Sequence, residues 1–210
     1  MTFPSQFRRW ALGVCVAAAT LQGAPVQWSA AAGGNDNWYE YVPTVSIFAP
    51  IDFNSARTAA LGSSHLGLTG YLATVTSSAE QTFIETSFPY LIGFGNTGSA
   101  WMGASDAAVE GEWRWLDGPE AGDLTTFTDW RAGHPVTSGV YLALYIDRNF
   151  GGIDNWVAFG PTDGTFGYVV EYGDGTPDTV SAVPEPSSAL LLGAGLLAVA
   201  TRLKRNAASK

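Results

Sequence analysis

Cysteine is the first scarcity. The single cysteine of this 210-residue chain, Cys15, lies inside an apolar run near the N-terminus. The rest of the chain can form no disulfide, so burial alone must hold it. Basic charge is scarce as well. Between residues 33 and 182 only Arg57, Arg114, Arg131 and Arg148 stand against eighteen acids, a net charge near −14 against −9 for the whole chain. A field of that sign repels phosphate and anionic lipid and attracts cations, which excludes nucleic acid as a partner. Histidine occurs only twice, as His65 and His134, and no Gly-x-Ser-x-Gly turn, His-x-x-x-His spacing or phosphate-cradling glycine loop accompanies them. Nucleophilic and metal-assisted hydrolysis therefore have no residues to run on. Glu110 and Glu112, two apart on what reads as a strand, suit glycoside chemistry in principle, yet such pairs more often form a solvated face. His65, with no acidic or nucleophilic neighbour, reads as a satisfied surface histidine. A binding module is expected, not an enzyme.

The two ends of the chain are more specific. Arg8 and Arg9 precede an apolar run from Trp10 to Thr20, and Ala30-Ala31-Ala32 supplies a small-residue site before Gly33. Basic flank, short apolar segment and Ala-x-Ala read as a cleaved signal peptide over 1–32, with a cut after Ala24 as the alternative. A lipoprotein reading through Cys15 is weak because Val14 fills the place of a small residue. At the other end, Val183-Pro184-Glu185-Pro186 is followed by an apolar segment, 189–200, and by Arg202, Lys204 and Arg205. Twelve helical residues span about 18 Å against a hydrocarbon core of about 30 Å, and extension to 187–203 approaches the lower limit for crossing. The basic end stays cytoplasmic and leaves the preceding domain outside. This arrangement resembles the PEP-CTERM sorting signal, over 184–210. The resemblance implies export in a Gram-negative bacterium and transient residence in the inner membrane through 187–203. It also implies processing by an exosortase-type enzyme and a final place at the cell surface or in an exopolysaccharide matrix. An ordinary C-terminal anchor is the plainer alternative. A Gly/Pro/Thr linker covers 174–183.

What remains is one domain's worth of chain. Residues 37–48 are aromatic and β-branched and read as an opening strand. Residues 51–64 carry the caps and alanines of a helix begun near Asp52 or Asn54 and stopped at Gly62. Tyr71, Ala73 and Val75 alternate like a strand, and Ser77 with Glu80 forms a capping box that opens a second helix whose buried face holds Phe83, Ile84 and Phe88. Strands are expected at 100–106, 110–118, 140–146, 156–160 and 166–173, with a weakly periodic loop at 123–139. Two helices packed on antiparallel strands make an α+β domain, with a short apolar helix at each terminus of the chain.

The order of Leu72-Ala73, Glu80, Trp101-Met102-Gly103, Trp113-Arg114-Trp115, a Trp-x-x-Gly-x-Pro loop at Trp130, and Val170-Glu171-Tyr172 resembles a C-type lectin-like domain over 37–173. The family's cysteine framework is absent. In sugar-binding members, a Glu-Pro-Asn or Gln-Pro-Asp triplet and a later Trp-Asn-Asp triplet hold calcium, which sugar hydroxyls then ligate. Calcium takes six to eight hard oxygen ligands. Here His134-Pro135-Val136 stands at the first triplet, so imidazole and an aliphatic chain replace two oxygen donors, while Pro135 can still hold a cis bond. At the second, Ile153-Asp154-Asn155 reverses the acid and amide, and Asp147 offers a third oxygen.

The resemblance thus implies a glycan-binding loop over 123–156 whose calcium cage is incomplete. Its candidate ligand contacts are Trp130, His134, Asp147, Asp154, Asn155 and Trp156, and a reduced cation site falls to Asp147, Asp154 and Asn155. Trp101, Trp113 and Trp115 are expected in the core. Glu171 is expected to be structural, although the equivalent residue joins a supporting calcium site in some family members. The alternative is a protein-interaction or structural component of an exopolysaccharide matrix.

Overall fold

The computed structural model describes residues 23–46, 48–88, 97–147 and 153–174. The sorting segment and both expected terminal apolar helices lie outside them. Among the described residues, no helix is long and apolar enough to cross a membrane.

Both expected helices form, and their caps explain why. Helix α1 spans Phe53–Leu61. Asp52 caps it by accepting from Ser55 N at 2.9 Å, and Gly62 ends it. The amide and hydroxyl of Ser55 hold the Asp52 carboxyl below its ordinary range. Helix α2 spans Ser78–Ser87, and its cap Ser77 accepts from Glu80 N at 3.2 Å. The expected box is modified, because Glu80 reaches back to Thr76 N at 2.8 Å.

Nine strands are described: β1 Val26–Gln27, β2 Trp38–Pro43, β3 Ser64–His65, β4 Leu68–Leu72, β5 Thr97–Ser105, β6 Arg114–Trp115, β7 Tyr141–Asp147, β8 Ile153–Phe159 and β9 Gly167–Tyr172. The main sheet runs β1-β2-β9-β5-β7-β8, with β4 also on β9 and β6 on β5. Every ladder in it is antiparallel except a single parallel bridge, Trp101 to Tyr168. Both faces are covered, so the strands read as near-continuous apolar runs. On one face Phe53, Ala56 and Ala60 of α1 pack on Trp101, Ala143, Val157, Val170 and Tyr172. On the other, Ile84 of α2 packs with Met102, Trp113, Trp115, Leu144, Trp156 and Val169. Trp101, Trp113 and Trp115 are buried as expected. Each such ring stabilises the fold by roughly 2–3 kcal/mol, which is how the domain stands without disulfides. Gly103 explains the Trp-x-Gly sequence, since a Cβ there would sit 2.5 Å from the Leu72 carbonyl of the neighbouring chain segment.

Three expectations are corrected. The domain was expected to begin at 33, yet the fold takes in residues before it: Val26 pairs with Tyr39, Gln27 with Trp38, and Ala30–Ala32 form a 3-10 turn. A two-residue strand beside an alanine triplet has no periodicity of its own, and the triplet mimics a cleavage site. Glu110 and Glu112 share no strand. They lie in the exposed turn before β6, where Glu112 pairs with Arg114 at 2.7 Å. His65, expected as a satisfied surface histidine, is only half-exposed, and its Nε2 has no hydrogen-bond partner. It packs between Trp38 (4.7 Å) and Tyr172 (5.6 Å), with Nε2 buried.

Candidate functional site: the loop along the edge strand

Strand β8 ends the sheet, and an edge strand presents unpaired amides that native folds cover. Here the loop expected to bind ligand supplies the cover. Trp156 N donates to Asp129 O (2.8 Å), and Arg131 N donates to Trp156 O (2.9 Å), so Trp130 and Trp156 form a parallel bridge. Two residues on, Ala158 N donates to Nδ1 of His134 at 3.1 Å, and beyond it Gly160 N donates to Asp163 Oδ2 at 2.7 Å. A tight turn delivers the imidazole: His134 N donates to Arg131 O at 2.8 Å, Gly133 takes φ +87°, and the His134–Pro135 bond is cis. The cis bond agrees with the role expected for Pro135.

Trp130 is half-buried at the loop surface. Its ring is braced by Trp113 at 4.7 Å and by Trp156 at 5.6 Å, the latter nearly perpendicular at 88°. Trp156, expected to face a ligand, is instead wholly buried, and its Nε1 donates to Gln81 Oε1 of α2 at 2.9 Å. Strand alternation turns its ring inward while its backbone carries the loop. Asn155 pairs with Tyr145 in the β7–β8 ladder and donates through Nδ2 to Asp129 Oδ1 at 3.1 Å. Asp147 sits opposite Ile153 and Asp154 opposite Ile146, at the far end of that ladder. The Arg131 guanidinium lies 4.9 Å above the Tyr145 ring.

Asp129, Arg131 and Tyr145 were therefore missed. Arg131 carried a usable signal, being one of four cations in a strongly acidic domain and lying within the Trp-x-x-Gly-His-Pro segment itself. Burial, and secondarily the charge of Arg131, lowers the pKa of His134 below its ordinary 6.5. That keeps the imidazole neutral and free to accept from Ala158.

This chemistry decides the fit to calcium at the first triplet. The imidazole spends one nitrogen on a backbone amide and offers no oxygen, and Val136 supplies only methyl groups. That half of the cage does not fit the ion. Among the described residues, no group of three or more His, Cys, Asp or Glu side chains is placed to hold a metal.

Glu171 is wholly buried and has buried acidic company. It accepts from Asn37 Nδ2 (2.7 Å), Thr74 N (3.0 Å) and Thr74 Oγ1 (3.1 Å). Glu80, also wholly buried, accepts from Tyr39 OH at 2.6 Å, and the same hydroxyl lies 3.3 Å from Glu171 Oε1. Glu120 Oε2 lies 3.2 Å from the same Thr74 hydroxyl, which has one proton to share between the two acids. These bonds tie β2, β9, α2 and the segment after β4 together on the face that supports the loop.

Comparison with known proteins agrees with this geometry. The PEP-CTERM protein-sorting motif matches residues 182–205, which indicates export and C-terminal sorting. The chain is 34% identical over 154 residues to halomucin of Haloquadratum walsbyi, a match covering 68% of this chain and only 2% of halomucin. It is 28% identical to an alpha-N-acetylgalactosamine-specific lectin of Patiria pectinifera, over 58% of this chain and 66% of that protein. It is 30% identical to a perlucin-like protein of Mytilus galloprovincialis, over 57% of this chain and 68% of that protein. Among solved structures, the C-type lectin CEL-I from Cucumaria echinata shares the fold with a TM-score of 0.50 at 23% identity, over 66% of this chain and 91% of CEL-I. With its two capped helices, its doubly covered sheet and its long loop on the edge strand, this chain belongs to the C-type lectin-like domain family.

Proposed function

We propose that this protein is a non-catalytic binding module, carried to the cell surface or an exopolysaccharide matrix, that holds a glycan on the 123–156 loop. The observation that carries the reading is Trp130. Its indole is half-exposed yet braced on two sides by Trp113 and Trp156, on a loop fixed to β8 by backbone bonds. A rigid aromatic face suits the apolar face of a pyranose, because little side-chain entropy is lost on contact. Asp129, Arg131 and Asn155, its neighbours along the same bridge, offer polar groups for the hydroxyls on the Tyr145 side of the sheet, with Asp147 and Asp154 further along the ladder. The relative named as an alpha-N-acetylgalactosamine-specific lectin supports a sugar as the ligand class. Recognition runs by shape and hydrogen bonds, and a complete calcium cage is not part of it. Cleavage near Pro184-Glu185-Pro186 by an exosortase-type enzyme releases the domain from its transient membrane stage.

A glycan array read with and without a chelator tests this. Glycan binding that survives chelation is the expected result. Matrix association with no glycan bound would instead favour a protein-interaction role. Thermal melting in Ca²⁺ adds an independent check, since a cation bound only to the folded state at 100 times its dissociation constant stabilises by about 2.7 kcal/mol. Chelator-sensitive binding together with such a gain would overturn the cation-independent mechanism.

A further inference from the structure

Residues 26–36 are integral to the fold, and that constrains where the leader is removed. Besides the β1–β2 rungs, Trp28 N donates to Asn37 O at 2.9 Å, Asp36 N donates to Trp28 O at 2.8 Å, and Gln27 Nε2 donates to Asp36 O at 3.0 Å. The Trp28 ring stacks on Phe83 of α2 at 5.6 Å and 21°. Ser29 and Asp36 then close the 3-10 turn, accepting from Ala31 N and Ala30 N at 3.2 and 2.7 Å. A cut after Ala32 would discard β1, the turn and the Trp28 ring, and would expose one side of Phe83 and the β2 edge.

A cut after Ala24 is disfavoured on three grounds. It sets the large polar Gln22 where a small residue is wanted, three before the scissile bond. It makes Pro25, which has no N–H and a fixed φ, the residue after the bond. It also removes Gly23 and Ala24, which line an apolar groove of about 320 Å³ with Val26, Tyr41, Pro43 and Phe88.

We propose that the leader peptidase cleaves after Ala19, so that the exported domain begins at Thr20 and retains β1. Ala17 and Ala19 place small side chains three and one before the bond. Within the apolar run Trp10–Thr20, the residues Trp10–Val16 ahead of them reach the minimum length of a leader core. The assignment rests on the N-terminal segment being a cleaved leader.

The test is N-terminal peptide mapping by mass spectrometry on the full chain exported from a Gram-negative host. An N-terminus at Thr20 is expected. An N-terminus at Pro25 or Gly33 overturns the assignment, and an uncut chain beginning at Met1 overturns it by removing the leader reading beneath it. Two variants give a second readout. Ala19→Leu should leave the exported chain uncut or cut elsewhere. Ala32→Leu, at an exposed position, should leave the N-terminus unchanged. The reverse pattern refutes cleavage after Ala19.

Discussion

His134 Nδ1 accepts the backbone N–H of Ala158 at 3.1 Å, so an imidazole stands where the carbonyl of a further strand would otherwise be. An accepting nitrogen carries no proton. Burial and the Arg131 charge lower the folded-state pKa below the ordinary 6.5, and the unfolded chain binds more protons between those two values. Stability therefore rises with pH across that window. The contribution is fully present above about pH 6.5 and is lost as pH falls through the folded value.

His134→Asn separates the acceptor from the titration, because the amide oxygen can take the Ala158 N–H and carries no proton at any pH in the window. Denaturant midpoints measured from about pH 7.5 downward should fall more steeply for the native chain than for this variant. Equal slopes would show that the imidazole does not carry the effect. His134→Ala at about pH 7.5 removes the acceptor outright and should cost about 0.5–1.5 kcal/mol.

The Tyr39 hydroxyl joins two buried acids, donating to Glu80 at 2.6 Å while lying 3.3 Å from Glu171, and it accepts from Asn35 Nδ2 at 2.7 Å. Burial and the two carboxylates raise its pKa well above 10, so it remains a donor throughout the physiological range. Tyr39→Phe keeps the ring and its edge contact with Phe83 but leaves the acids short of a donor. A loss of about 1.5–3 kcal/mol is expected from equilibrium unfolding, as for a bond to a charged group. An unchanged midpoint would mean that Asn37, Thr74 and Thr76 satisfy both carboxylates without the phenol.

The helices were legible because their signals are local. Asp52 with Ser55, and Ser77 with Glu80, lie three residues apart and state where each helix begins. The core strands were legible because alternate residues feed two apolar faces, so β7 reads as an apolar run through Ile146 and β9 as one interrupted by Glu171. The edge of the site was legible only in part. Trp130 and the cis Pro135 follow from the loop's own residues, whereas the burial of Trp156 depends on Gln81, 75 residues away. Buried acids were the least legible. A hydrophobic pattern assigns Glu80 and Glu120 to solvent, and the donors that make their burial possible come from distant positions such as Tyr39 and Thr74. Strand β1 was hidden by an alanine triplet that looks like a processing site.

The two tryptophans of the loop bridge should separate stability from binding. Trp156→Ala deletes a wholly buried indole and leaves Gln81 Oε1 without its donor, so a loss of about 3–5 kcal/mol is expected. At this domain size that lowers the thermal midpoint by roughly 6–20 °C. Trp130→Ala removes a half-buried ring and should cost less stability, while the affinity for a glycan identified on the array falls tenfold or more, about 1.4 kcal/mol. The rings lie 5.6 Å apart, so the double variant should fall short of the sum in stability. Calorimetric titration and thermal melting on the same samples give both readouts. If Trp130→Ala melts as low as Trp156→Ala with its glycan affinity unchanged, Trp130 is a core residue and the sugar platform must be sought elsewhere on the loop.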